Sequence, residues 1–220
     1  MKNQETIQAK GNILDLIQAS DLNNKAEDLY NKEKYQESLE LHLKALNIRE
    51  IYAPNSLDFA RSLNGVGLCQ SRLNKPETAL YLHLKALNIQ QEKAPNSLDE
   101  ARSYQGIGNA YSFLKEYKQA INYYEKAIKI RAEKAPKSLD LANSYHNMGI
   151  VYGNLGNYGY ADQCYAKSNE IKASYRCLEI KQEDVKNVTN INENGDTIAF
   201  NGDNYLVNKN NSIFDKANFY

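Results

Sequence analysis

A block of 41 residues recurs along this chain, and a tandem period of that length confines the fold to stacked supersecondary units. Ala53-Pro54-Asn55-Ser56-Leu57-Asp58 returns as Ala94-Pro95-Asn96-Ser97-Leu98-Asp99 and as Ala135-Pro136-Lys137-Ser138-Leu139-Asp140. His42-Leu43-Lys44-Ala45-Leu46-Asn47-Ile48 returns unchanged at His83 to Ile89, loosens at Tyr124 to Ile130, and fades at Tyr165 to Ile171. Gly67, Gly108 and Gly149 keep the same phase, as do Ala79, Ala120 and Ala161. Four units therefore fill roughly residues 19–53, 54–94, 95–135 and 136–171, with 1–18 as a lead or capping helix.

Each unit reads as two helices. The Ala-Pro-x interruption stops one helix, because Pro lacks a donor and restricts the residue before it. The Ser that follows is a good N-cap, and Ser97 with Glu100 makes a capping box that Ser56 and Ser138 lack. Apolar residues at helical spacing follow, as in Tyr104, Ile107 and Tyr111. A polar break such as Leu73-Asn74-Lys75 or Leu155-Gly156-Asn157 then leads into a second helix, where Pro76 suits the first turn. Ala79, Leu82, Ala86 and Ile89 line one face of that helix, and Leu80, Leu84 and Leu87 widen the stripe, which predicts broad burial.

A mid-helix Gly costs about 1 kcal/mol relative to Ala. Gly67, Gly108 and Gly149 therefore imply a compensating close approach to the partner helix, with Ala79, Ala120 and Ala161 opposite. One helical pair cannot bury its own apolar face, whereas stacked pairs can. The fold class expected is all-α, a right-handed α-solenoid of about four helix-turn-helix units with a short C-terminal appendage.

Tyr104, Ile107-Gly108, Tyr111, Ala120, Tyr124 and Ala127 fall at the spacing of the tetratricopeptide repeat, which the chain resembles over about 150 residues. Tyr145, Met148-Gly149, Tyr152, Ala161 and Tyr165 repeat the pattern. The 41-residue step, the Ala-Pro-x-Ser-Leu link and Leu22-Asn23-Asn24 look like the kinesin light chain subtype. Ala26 stands where Gly is usual, and Ser38 and Ser168 where Ala is usual.

The resemblance implies a scaffold or adaptor whose first helices line a concave groove for a partner's peptide or helix. Groove positions map to Arg61, Asn64, Leu68, Ser71 and Arg72 in the second unit, and to Arg102, Gln105, Asn109, Ser112 and Phe113 in the third. The fourth unit supplies Asn143, His146, Ile150 and Asn154, and the first Ser20, Asn23, Glu27, Tyr30 and Asn31. Carboxamides can pair with the main chain of an extended segment, and Arg can hold a carboxylate, so a short and acidic peptide is the expected partner. The competing reading makes these positions ordinary solvated helix faces in a chain that carries 28 Asn. A second functional class is a regulator whose solenoid changes pitch on binding and so controls a partner enzyme.

Other motifs carry less. Gly65-Val66-Gly67 and Gly106-Ile107-Gly108 mimic the start of a dinucleotide loop but lack the preceding strand and the third Gly, so they read as packing glycines. His42 and His83 are one repeat position copied, and no nucleophile and base are paired, so neither metal, cofactor nor catalysis is expected. Lys+Arg 27 against Asp+Glu 27 gives no pull toward nucleic acid. The balance also holds by segment, with six basic and seven acidic residues from 172 onward and 21 and 20 before it. No apolar run is long enough for a membrane span and no signal-peptide pattern opens the chain. Three Cys without a CxxC fit a reducing compartment, so a cytoplasmic location is expected.

After residue 171 the pattern changes. Residues 172–186 suit a capping helix, and 187–220 an Asn-rich tail that is either disordered or a hairpin, with Asn201-Gly202 as its two-residue turn. Val188 to Ile191 can pair with the strand starting at Thr197. Such a tail, docked in the groove, would act as an autoinhibitor.

Overall fold

A computed structural model describes the backbone of residues 2–186, 188–191, 197–201 and 204–208, and the side chains of 12–176. The four units are four antiparallel helical pairs: α1 (Lys2–Asn31) with α2 (Tyr35–Tyr52), α3 (Leu57–Arg72) with α4 (Pro76–Lys93), α5 (Leu98–Phe113) with α6 (Tyr117–Lys134), and α7 (Leu139–Asn154) with α8 (Tyr158–Lys186). Residues 2–18 and 172–186 are not separated from the array by a break. They are the outer ends of α1 and α8.

The caps explain the boundaries. Ser56, Ser97 and Ser138 accept from the backbone N–H groups of Phe59, Glu100 and Leu141 at 3.0, 3.1 and 3.2 Å. Glu100 completes its box one residue early, accepting from the Asn96 N–H rather than that of Ser97. Inside each unit the first helix ends in the same Schellman motif. In the third unit, for instance, Glu116 N–H donates to Tyr111 O and Lys115 N–H to Ser112 O.

The core runs both within units, where Phe59, Ala60 and Leu63 of α3 pack with Ala86 and Ile89 of α4, and along the stack between them. Leu39 of α2 packs with Val66 and Cys69 of α3, and Leu87 of α4 with Ala101, Tyr104 and Ile107 of α5. Ala120, Tyr124 and Ile128 of α6 meet Leu141, Met148 and Val151 of α7. The second helices are buried less broadly than the leucine stripe predicts. Leu43 and Leu84, one repeat position in two copies, are 44 % and 39 % exposed.

The glycines work differently from the expected backbone contact with Ala. A Cβ at Gly67 or Gly108 would meet the His83 or Tyr124 ring at 2.8 Å, so a ring from the second helix fills the space each glycine leaves. His83 is also closed in from the next unit, where a Cβ at Gly106 would lie 2.5 Å from it. His42 meets Gly65 in the same way. Where the ring is the larger Tyr124, the next unit carries Asn147 at the place of Gly65 and Gly106.

At the C-terminus β1 (Val188–Ile191), β2 (Thr197–Asn201) and β3 (Asn204–Asn208) form an antiparallel sheet in the order β1-β2-β3. The hairpin register pairs Phe200 with Tyr205 and Asn201 with Asn204, so the connecting pair is 202–203, one residue beyond the expected Asn201-Gly202. The sheet touches α8 and, among the described residues, none of the helices that face the groove. Autoinhibition by a tail lying in the groove has no support in that placement.

Candidate functional site

Consecutive first helices touch one another, α1 with α3, α3 with α5 and α5 with α7, whereas consecutive second helices do not. The stack therefore closes on the first-helix side, which becomes the concave wall. All nineteen positions expected to line a groove, Ser20 to Asn31 on α1, Arg61 to Arg72 on α3, Arg102 to Phe113 on α5 and Asn143 to Asn154 on α7, stand on these helices. Their chemistry divides into three groups.

The first group is consumed by the stack. Asn64 is 1 % exposed: its Oδ1 accepts from His83 Nδ1 at 2.8 Å and its Nδ2 donates to Ser103 Oγ at 2.7 Å, and Ser103 donates onward to Gln90 Oε1. Asn23 holds the same place one unit earlier, with His42 Nδ1 at 3.0 Å and Ser62 Oγ at 3.1 Å. Gln105 continues the series and accepts from Arg131, whose guanidinium also reaches Ser144 Oγ and Asp140 O. Asn109 accepts from Tyr124 OH at 2.7 Å and from Asn147 Nδ2 at 3.1 Å. Asn64 is thus a correction: it braces the junction between units and offers nothing to a ligand. Ser71 is also buried.

The second group is the arginines, which do not form one free cationic cluster. Arg61 pairs with Asp58 at 3.0 Å and across to Asp99 of the next unit at 3.3 Å. Arg102 reaches back to Glu27 of α1 at 3.8 Å, an ion pair that spans the curve of the wall. Arg72, at the far end of α3, donates from Nε to Tyr30 OH at 3.0 Å and lies over the Tyr30 and Tyr35 rings at 6.0 and 5.8 Å. A shallow hollow of about 290 Å³ lies beside this end, lined by Glu33, Tyr35, Gln36 and Leu73. The carboxylates that compete for Arg61 were legible as the repeated Ser-Leu-Asp, which places an Asp in the first turn of each first helix.

The third group is open. Asn143 and Asn154 are exposed and have no side-chain hydrogen-bond partner among the described residues. His146 is exposed and lies against Tyr165 at 5.4 Å between centroids. Phe113 and Ile150 are 53 % and 41 % exposed, and Leu68 is half-buried. From Gln105 through Asn109, Ser112, Phe113, Asn143, His146 and Ile150 to Asn154, no position is Asp, Glu, Lys or Arg. Beyond Arg102, the wall of the third and fourth units is an uncharged strip in which Asn143 and Asn154 are the open carboxamides and Phe113 and Ile150 the exposed apolar side chains.

Chemically activated groups are absent from this wall among the described residues. Burial pushes the thiols of Cys69 and Cys164 up and so disfavours thiolate. No three His, Cys, Asp or Glu side chains converge on a metal position, and no helix is long and apolar enough to cross a membrane, again among the described residues.

Comparison with known proteins agrees with this architecture. A tetratricopeptide repeat model matches residues 18–92 and 79–133, and a second tetratricopeptide repeat model matches residues 142–175. No curated protein matches the chain. Among solved structures, BtubC (BKLC) from P. vanneervenii is similar at 22 % identity and a TM-score of 0.61, over 72 % of this chain and 64 % of that one. The apo form of RapI is similar at 24 % identity and a TM-score of 0.60, over 73 % of this chain and 44 % of that one. The chain spans less than two thirds of either relative's length, and at these identities the likeness is one of fold. With the family pattern matching more than half of its residues and four helical pairs stacked in register, the chain belongs to the tetratricopeptide repeat family.

Proposed function

We propose that this protein is an interaction scaffold that holds an extended segment of a partner protein along its concave wall, mainly over α5 and α7. The observation that carries this reading is the uncharged strip, where Asn143 and Asn154 have no partner while Phe113 and Ile150 stay exposed beside them. A carboxamide can donate and accept at once, which suits the alternating N–H and C=O groups of an extended main chain. The two exposed apolar side chains supply contact area for alternate side chains of the ligand. The acidic preference expected from the arginines has less support, because Arg61 and Arg102 already face Asp58, Asp99 and Glu27. Selection of a random peptide library displayed on phage provides the test. Enriched peptides should lose about tenfold in affinity, or about 1.4 kcal/mol, on Asn143→Ala with Asn154→Ala, and again on Phe113→Ala. Arg61→Ala should leave them unchanged. Failure to enrich any peptide, or equal binding by all variants, would overturn the reading.

A further inference from the structure

The two ends of the solenoid are halves of one junction. At each internal junction a trailing set lies against a leading serine: Asn23 and Arg49, with His42 on Asn23, meet Ser62; Asn64 and Gln90, with His83 on Asn64, meet Ser103; and Arg131, bonded to Gln105 and with Tyr124 at the repeat position of the two histidines, meets Ser144. The 41-residue step carries the trailing set on to His146, Tyr165 and Lys172, which face no following unit among the described residues. The same step carries the leading position back from Ser62 to Asp21, which faces no preceding unit among the described residues. A cationic or amide group thus gives way to Lys172 at one end, and its hydroxyl partner to Asp21 at the other. Both lack an ion-pair or hydrogen-bond partner among the described residues.

The helix lengths match in the same sense. First helices of internal units begin at Leu57, Leu98 and Leu139, a place equivalent to Leu16, yet α1 begins at Lys2, an overshoot of about 21 Å at 1.5 Å per residue. Second helices end at Tyr52, Lys93 and Lys134, equivalent to Tyr175, yet α8 ends at Lys186, an overshoot of about 16 Å. At every internal junction the C-terminus of a second helix lies beside the N-terminus of the next first helix. A copy of α1 laid on α8 in that geometry would set the two overhangs side by side and antiparallel. Apolar residues are exposed at both ends, with Ile13, Leu14 and Ile17 on α1 at 58 %, 66 % and 54 %, and Ile150 and Tyr158 on the last unit at 41 % and 71 %.

We infer that the occupant of each end is a second copy of this chain, stacked head to tail with Lys172 of one molecule on Asp21 of the next. The contact is heterologous, so assembly passes beyond a dimer, to a ring or a filament. Sedimentation velocity of the full chain from about 1 µM to about 1 mM tests it. The weight-average sedimentation coefficient should rise past that of a dimer with concentration. Asp21→Lys and Lys172→Glu should each weaken association about tenfold, and the double exchange should restore it. Far-UV circular dichroism of each variant, with native helicity, shows that the fold survives. A chain that stays monomeric throughout, a plateau at dimer, or association indifferent to both exchanges would each overturn the inference.

Discussion

Four residues at one repeat position, Glu33, Asn74, Lys115 and Gly156, take left-handed backbone with φ of 61°, 59°, 62° and 74°. Each is the residue after the last helical turn of a Schellman motif, where glycine is free of the steric cost that other L-residues bear, about 1–2 kcal/mol. Glu33→Gly and Lys115→Gly should each raise stability by about 1 kcal/mol net of the flexibility added to the unfolded chain, read as a higher urea midpoint. An unchanged midpoint would mean that these turns carry no strain. The turns themselves were legible, since Asn74 and Gly156 are turn residues; their shared geometry at Glu33 and Lys115 was not, because neither type signals positive φ. Packing glycines show the same mixture. Their 41-residue phase stood out, but which group filled the gap depended on how the paired helices cross. Gly106→Ala should cost about 2 kcal/mol by driving a Cβ into the His83 ring. Gly153→Ala meets nothing within 4 Å and should stabilise α7 by up to about 1 kcal/mol.

Between elements, the decisive feature is a polar ladder buried at each junction. Burial alone lowers the His83 pKa to about 4, and burial reinforced by the nearby Arg49 charge does the same for His42, so both rings are neutral in the folded protein. In the unfolded chain they titrate near 6.5. The stabilisation from keeping them neutral is complete above that pH and is lost as pH falls from about 6.5 toward 4, at about 3 kcal/mol per ring. Urea midpoints between pH 7 and pH 4 should fall accordingly, and His42→Gln with His83→Gln should flatten the slope; an unaltered slope would assign the acid sensitivity to carboxylates instead. At the third junction Arg131 occupies the place that Gln90 fills at the second. Arg131→Gln should therefore be tolerated within about 1 kcal/mol. Arg131→Ala, which removes the donor shared by Gln105 Oε1, Ser144 Oγ and Asp140 O, should cost about 2–3 kcal/mol by chemical denaturation. The ladder explains the misplacement of Asn64. Periodicity assigns a residue to a helix face, but a face that borders both the groove and the neighbouring unit is divided between them only by the crossing of the two helices.

Across the whole molecule the 41-residue period makes units exchangeable in length but not in junction chemistry, and this separates two deletions that are equivalent on paper. Removing residues 54–94 joins the first unit to the third and sets His42 against Gly106, the same His-on-Gly contact that His83 makes in the intact chain. The trailing set Asn23, His42 and Arg49 would then meet Ser103, a serine like the Ser62 it lost. Removing residues 95–135 joins the second unit to the fourth and sets His83 against Asn147, a residue matched in the intact chain to Tyr124 and Asn109. At the place of Gly106 any Cβ comes within 2.5 Å of the imidazole. The first deletion should give a cooperatively melting three-unit solenoid, because stability in such arrays is a sum of unit and nearest-neighbour terms. The second should be weaker by about 2 kcal/mol, the cost of an overpacked junction, and Asn147→Gly within it should recover most of that loss. Thermal and urea unfolding of the three proteins decide the matter. Equal stability of the two deletions, or no rescue by Asn147→Gly, would show that the ring-on-glycine contact does not govern which units can stack.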